Sequence, residues 1–428
     1  MTHSISFQNT MRLHGVTWQR ALLFLAICLV LLCIFLIVPM RNDSTGNEKF
    51  LIENDSGVLS LIARQPHTHM QHTFSEFVNR VLQPAFALEE SFDVDIAKLD
   101  ETLERMRPTT QSPLSNLLHY LYLNDLNSTV TTQDGIVPII HLLLDGDAGA
   151  KYFRGAKPLL RSRYGARFTP YQKLMLGTDQ PSAEAHLGQA LSTLGSLGVS
   201  LTHPIQLQGG SPATLQDVFD DLVANFFLDD AEIFWQATAL TFYLPPKRSW
   251  TNRFRENFTF DMLAKELLSR DFGESACAGT HRLIGLVTLL RAHHEMSIIE
   301  PKTEQMIVDD LSKVVKILVH SQHSNGSWTS SWHKDLVGNS IAQALQDVSS
   351  VDRIVATGHH LEWLMLLPDE IRPEDRIFFK AAGYLMSVVP ELAKDPQWLT
   401  RWYCPVTHSL RSVCLLNRLS KRKGHPSN

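Results

Sequence analysis

The chain has 428 residues, of which 44% are hydrophobic and 19% charged. That is the make-up of a folded protein and excludes intrinsic disorder. Lys and Arg number 39 against 44 Asp and Glu, and the net charge of −5 carries no nucleic-acid signature. Histidine is the unusual residue: there are 19, and nine of them fall between His281 and His408.

Residues 21–40 are uncharged and almost wholly apolar. At ~1.5 Å per residue such a helix covers the ~30 Å hydrocarbon core of a bilayer. Arg12 and Arg20 precede it, which favours an inside N-terminus. The run reads as an uncleaved signal anchor, with a cleaved signal peptide as the alternative. The expectation is a single-pass membrane protein: a cytoplasmic tail over 1–20, the span over 21–40, a juxtamembrane linker over 41–72, and an extracytoplasmic main domain. Cys28 and Cys33 lie inside the apolar run, leaving Cys277, Cys404 and Cys414 for the domain.

Helical patterns begin in a lead-in over 73–110, with Phe74–Leu82 and Asp95–Met106, and continue at Pro113–Tyr122. Thereafter two kinds of helix largely alternate. Strongly apolar segments start at His186, Glu232, His281, His359 and His408. Amphipathic segments cover Leu215–Phe227, Phe260–Leu268, Glu304–His320 and Glu374–Val389. A helix apolar all round must be buried, and an amphipathic one can shield it. The apolar starts recur every ~48 residues, with one insertion after the third, which suggests a repeated helical hairpin. An all-α fold is predicted: an α/α toroid of about five to six hairpins over 111–416, then a basic tail over 417–428. An irregular helical bundle is the alternative.

Three segments open alike: Cys277-Ala-Gly-Thr-His281-Arg-Leu283, Thr357-Gly-His359-His-Leu361 and Cys404-Pro-Val-Thr-His408-Ser-Leu410. The repeat reading places His281, His359 and His408 at equivalent inner-helix starts around one end of a central cavity. Cys277/His281 and Cys404/His408 each have helical i,i+4 spacing, and thiolate with imidazole suits zinc. The two cysteines leave three alternatives open: a zinc site built by Cys277, His281, Cys404 and His408, a Cys277–Cys404 disulfide, or neither. His359 and Glu362 can share a helix face as an acid–base pair. His186 and Glu232 are further candidates to face the cavity and bind substrate. Trp328 and Trp332 are candidates to cap it and bind an apolar or sugar-like substrate, the alternative for Trp328 being a staple between neighbouring helices.

Gln322-His-Ser-Asn-Gly326-Ser-Trp328 resembles a repeat motif of squalene cyclases and protein prenyltransferases. Those families are α/α toroids, so the resemblance implies that fold and an isoprenoid substrate. The cyclase Asp-x-Asp-Asp acid is absent, the nearest segments being Asp93-Val-Asp95 and Phe219-Asp-Asp-Leu222. Gly358-His-His-Leu-Glu362-Trp363 resembles a stretch of N-acylglucosamine 2-epimerase-like proteins, also toroids. It implies proton transfer by His359, with Glu362 beside it. The combination also resembles membrane-anchored bacterial proteins related to these toroids. Two functions are therefore expected. One is an enzyme acting on a lipid-linked, isoprenoid or carbohydrate substrate through His281, His359, Glu362 and His408. The other is a non-catalytic scaffold binding a small molecule or envelope component.

Overall fold

The computed structural model describes residues 67–153, 157–169, 183–231, 233–272, 277–333 and 349–422. The apolar run 21–40, with its flanks up to residue 66, lies outside the described residues, as does Glu232. No helix among the described residues is long and apolar enough to cross a membrane.

The protein is mostly helical, with fifteen α-helices among the described residues and four two-stranded antiparallel hairpins. Six helices form the inner set: α3 (Leu114–Leu123), α6 (Gln189–Ser196), α8 (Ile233–Tyr243), α10 (Thr280–Met296), α12 (Ser350–Leu364) and α15 (Tyr403–Arg422). Their packing runs in chain order, α3 on α6, α6 on α8, α8 on α10, α10 on α12 and α12 on α15, and α15 returns to α3. The sequence explains their place. In α8 every residue from Ile233 to Phe242 is buried, so no face is left for water.

Amphipathic helices cover this set. α7 (Leu215–Ala224), α9 (Phe260–Ser269), α11 (Pro301–Ser321) and α13 (Asp375–Leu392) fall where the amphipathic pattern predicts helices. Each start has a local cause. A Thr214/Asp217 capping box opens α7, the Thr259 side chain caps α9, and Pro301 occupies the first turn of α11. Along α11 the buried residues Ile307, Leu311, Val314 and Leu318 recur at helical spacing.

Three early units place a β-hairpin between inner and outer helix. Strands β1 (Thr129–Thr132) and β2 (Gly135–Pro138) lead into α4 (Ile139–Leu144); β5 (Pro204–Leu207) and β6 (Ser211–Thr214) lead into α7; β7 (Ser249–Thr251) and β8 (Asn257–Thr259) lead into α9. A fourth hairpin, β3 (Leu159–Ser162) with β4 (Gly165–Phe168), packs on α7 through an Arg167–Asp221 ion pair of 3.0 Å. Strands of three or four residues are too short to leave an alternating pattern that sequence periodicity registers.

Three expectations need correction. His281, His359 and His408 do not occupy equivalent helix starts: His281 is the second residue of α10, His359 the tenth of α12 and His408 the sixth of α15. Ser349 caps α12 well before the apolar run, by accepting a hydrogen bond from the Asp352 amide. The segment from 417 is not a solvated tail as far as Arg422, because α15 continues through it. Leu419 is buried there, and Ser420 Oγ accepts from the Phe92 amide at 2.8 Å. Cys277, Cys404 and Cys414 are free thiols, so no disulfide joins them.

The Gln322-x-x-x-Gly326-x-Trp328 motif stitches helices together. Gln322 Nε2 donates to the carbonyls of Gly326 (3.1 Å) and Ile377 (2.9 Å), tying the end of α11 to α13. Gly326 has φ +90°, and a Cβ there would lie 2.1 Å from the Lys380 carbonyl oxygen, so only glycine fits. Trp328 Nε1 donates to Leu318 O at 2.9 Å, and its amide donates to Thr357 Oγ1 at 2.9 Å, joining α11 to α12.

Candidate functional site

The inner helices bring a cysteine–histidine cluster together in the interior. The His359 and His408 rings stack at 4.0 Å, His281 lies 5.7 Å from His359, and His186 lies 4.9 Å from His281. Beyond His408 come His119 at 6.1 Å and Tyr122 at 5.4 Å. Trp235 walls the other end, 5.1 Å from His281 and 6.2 Å from His186. His281, His359 and His408 are at most 2% exposed. Cys277 and Cys404 both belong to this cluster, each with its sulfur within 4.8 Å of ring nitrogens of two histidines. The neighbouring Cys404 first, and burial second, push the Cys277 thiol up.

Local structure aims these side chains. Cys277 and Ala278 have φ of 51° and 60°, and Gly279 has 77°. Left-handed backbone costs an ordinary residue about 1–2 kcal/mol. Such strain persists only where surrounding contacts hold it. Here Trp332 Nε1 donates to Ala278 O at 2.9 Å, Phe272 packs on Trp332 at 4.8 Å, and Thr280 Oγ1 donates to Cys277 O at 2.6 Å. Trp328 and Trp332, the tryptophans expected to cap a cavity, are fully buried and bonded to backbone carbonyls. His360 faces away from the cluster into a tryptophan nest, accepting from Trp363 Nε1 at 3.0 Å.

Hydrogen bonds fix the imidazole orientations. His119 Nδ1 lies 2.8 Å from Ser115 O, His359 Nδ1 lies 2.8 Å from Val355 O, and His408 Nδ1 lies 2.8 Å from Glu362 Oε2. A carbonyl or carboxylate can only accept, so Nδ1 is the protonated nitrogen that faces each of them. The Nε2 atoms of His359 and His408 are buried and have no hydrogen-bond partner among the described residues. Burial, then the neighbouring His408, lower the His359 pKa and keep that ring neutral.

Glu362 is the cluster's anion. Arg411 Nη1 donates to its Oε1 at 2.5 Å, while Arg411 Nε donates to Tyr122 O at 3.1 Å. The Arg411 guanidinium lies 4.0 Å over the Tyr122 ring, a cation–π contact. Burial would raise the Glu362 pKa, but His408 and Arg411 outweigh it and hold the carboxyl below the usual carboxylate range.

Two clefts flank the cluster. One of about 270 Å³ is lined by Asn79, Tyr122, Arg411, Cys414 and Arg418 among others, so Arg411 and Tyr122 reach from it to Glu362 and His408. The other, of about 160 Å³, includes Arg167, Glu184, Asp221 and Gln236 in its wall. Glu184 accepts the amide of Ala190 at 3.0 Å, and burial pushes its carboxyl up to about 8 against the pull of that hydrogen bond.

The cluster thus gathers Cys277, His281, His359, Glu362, Cys404, His408 and His186 from the sequence-derived candidates. His119, Tyr122, Trp235 and Arg411 were missed. His119 sits on α3 without a repeated motif, and Arg411 follows His408 by three residues, a spacing that alone signals nothing. No protein-family profile, no curated protein and no solved structure matches the chain. The arrangement of the site is therefore the basis for a functional reading.

Proposed function

We propose that the six inner helices and their outer partners form an α/α toroid, and that the cysteine–histidine cluster is its active centre. The cyclic order of inner-helix packing, with α15 returning to α3, supports the toroid. In this reading the protein is a membrane-anchored, extracytoplasmic enzyme acting on a lipid-linked, isoprenoid or carbohydrate substrate. The apolar run 21–40 supports the anchor.

The observation that carries the catalytic reading is the His359 ring, neutral, locked by Val355 O through Nδ1, and left with an unpartnered buried Nε2. Such a group accepts a proton without first breaking another bond. Glu362, held by Arg411, orients the adjacent His408 through its Nδ1.

The test is incubation of the detergent-purified full chain with extracts of envelope lipids and glycans, read by mass spectrometry. A species consumed by the wild type and spared by His359→Ala supports the enzyme. The complete burial of His281, His359 and His408 favours a second reading, a binding scaffold. A species retained but never altered would establish that reading instead. For the anchor, a C-terminal alkaline phosphatase fusion is expected to be active, and a silent fusion would reverse the topology.

A further inference from the structure

We propose that the cluster is a two-metal centre for a zinc-type divalent cation, with His186, Cys277 and His281 holding one ion and His119, Cys404 and His408 the other. This rests on the reading of the cluster as the active centre and names its cofactor.

Geometry sorts the donors. Within each triad the ligand atoms lie within 4.8 Å of one another. Ligands around a tetrahedral zinc, at ~2.0–2.3 Å from the metal, are about 3.3–3.8 Å apart, so a small rotamer adjustment closes either triad. The four-ligand set Cys277, His281, Cys404 and His408 does not gather within that distance. Each cysteine keeps its i+4 histidine and recruits a second histidine, the third ligand, from another inner helix or its approach.

Chemistry selects the ion. One thiol and two imidazoles make a borderline-soft set that suits zinc and disfavours calcium or magnesium.

Orientation supplies an independent line. Metal-ligating histidines generally donate their other ring N–H to a carbonyl or carboxylate. His119 does so to Ser115 O and His408 to Glu362, the latter itself held by Arg411. A buried, unpartnered nitrogen such as His408 Nε2 is otherwise a net cost. The strained Cys277–Gly279 turn, clamped by Trp332, fits a side chain held for ligation.

The triads adjoin, with His359 between them. Three protein ligands per ion leave a fourth position open, the mark of a catalytic rather than a structural site. His359 is stacked on His408 and 5.7 Å from His281, beside both triads.

The test strips the detergent-purified full chain with chelator under anaerobic conditions and reloads it with Zn²⁺ or Co²⁺. Elemental analysis is expected to give two ions per chain, and Co²⁺ to give sulfur-to-metal charge-transfer absorption. His119→Ala and His186→Ala should each lower the content to one ion with helicity by circular dichroism unchanged. If either variant loses helicity, His119→Gln and His186→Gln replace them. Loss of both ions in either single variant overturns the two-site assignment, as does no ion with free thiols, or a Cys277–Cys404 disulfide found by peptide mapping. Two ions without turnover would keep the centre and sink the enzyme reading; turnover by the metal-free chain would do the reverse.

Discussion

The imidazole of His359 stacks on that of His408 with ring centroids 4.0 Å apart and planes 30° from parallel. The contact depends on the preceding residue of α12. Gly358 packs directly on Ser409 of α15, and a Cβ at Gly358 would lie 2.4 Å from Ser409 Oγ and 2.9 Å from its backbone N and Cα.

Gly358→Ala is therefore expected to destabilise the fold, although alanine favours a helix by about 0.5–1 kcal/mol over glycine. Forcing α12 and α15 apart is an overpacking change of about 1–3 kcal/mol. Urea unfolding should show a lower midpoint. A raised midpoint would mean that the two helices do not approach as closely as described.

Glu362 and Arg411 make the second prediction. Glu362→Gln leaves the Arg411 guanidinium, 14% exposed, without its anion. Breaking one side of a buried pair costs about 3–5 kcal/mol, while replacing both partners by apolar residues of similar volume is often neutral. The double variant Glu362→Leu with Arg411→Met should accordingly recover much of the loss. Thermal unfolding of the single and double variants distinguishes this from a pair that contributes little, for which Glu362→Gln would shift the midpoint hardly at all.

Trp332→Phe removes the indole N–H that holds Ala278 O. Leaving a buried carbonyl without its donor costs about 1–3 kcal/mol. The loss should be local, because the strained turn relaxes while the helices stay packed. Faster alkylation of Cys277, measured by peptide mass spectrometry, is the expected signature, with global stability lowered by no more than that amount. An unaltered Cys277 rate would show that the turn does not need Trp332.

Cys414 tests burial at the other side of α15. Desolvation pushes its thiol up to about 11, with Arg418 opposing. The folded chain keeps this proton up to that pH, whereas an unfolded thiol, with its ordinary value of 9.0, releases it earlier. The native state thus binds more protons between pH 9 and 11, and this group's contribution to stability falls as pH rises through that window. Cys414→Ala should flatten the decline seen in urea titrations across it. At pH 8 the folded Cys414 should also resist iodoacetamide until denaturant is added; rapid reaction in the native state would contradict its protonation.

Much of the helical framework was legible because its signal is local. The amphipathic stripes of α7, α9, α11 and α13 and the all-round apolarity of α8 need only neighbouring residues to be read. The start of α12 was not, because Ser350–Val355 is less apolar than the Leu361–Leu367 run that draws attention. The repeated motif also hid a difference. Thr280 Oγ1 donates to Cys277 O across a left-handed turn, whereas Thr407 Oγ1 donates to Tyr403 O within a regular helix. Similar letters occupy different backbones.

Local sequence patterns suffice to show that the described chain is mostly helical, which helices are buried, and that a histidine follows Cys277 and Cys404 at one-turn spacing. Those properties follow from periodicity and side-chain chemistry within a few residues. Only the tertiary structure decided that His119 meets His408, that His186 meets His281, and that Arg411 neutralises Glu362. Such partners are separated by tens to hundreds of residues. They meet because six helices pack in cyclic order, with α15 returning to α3, and no local pattern records that closure.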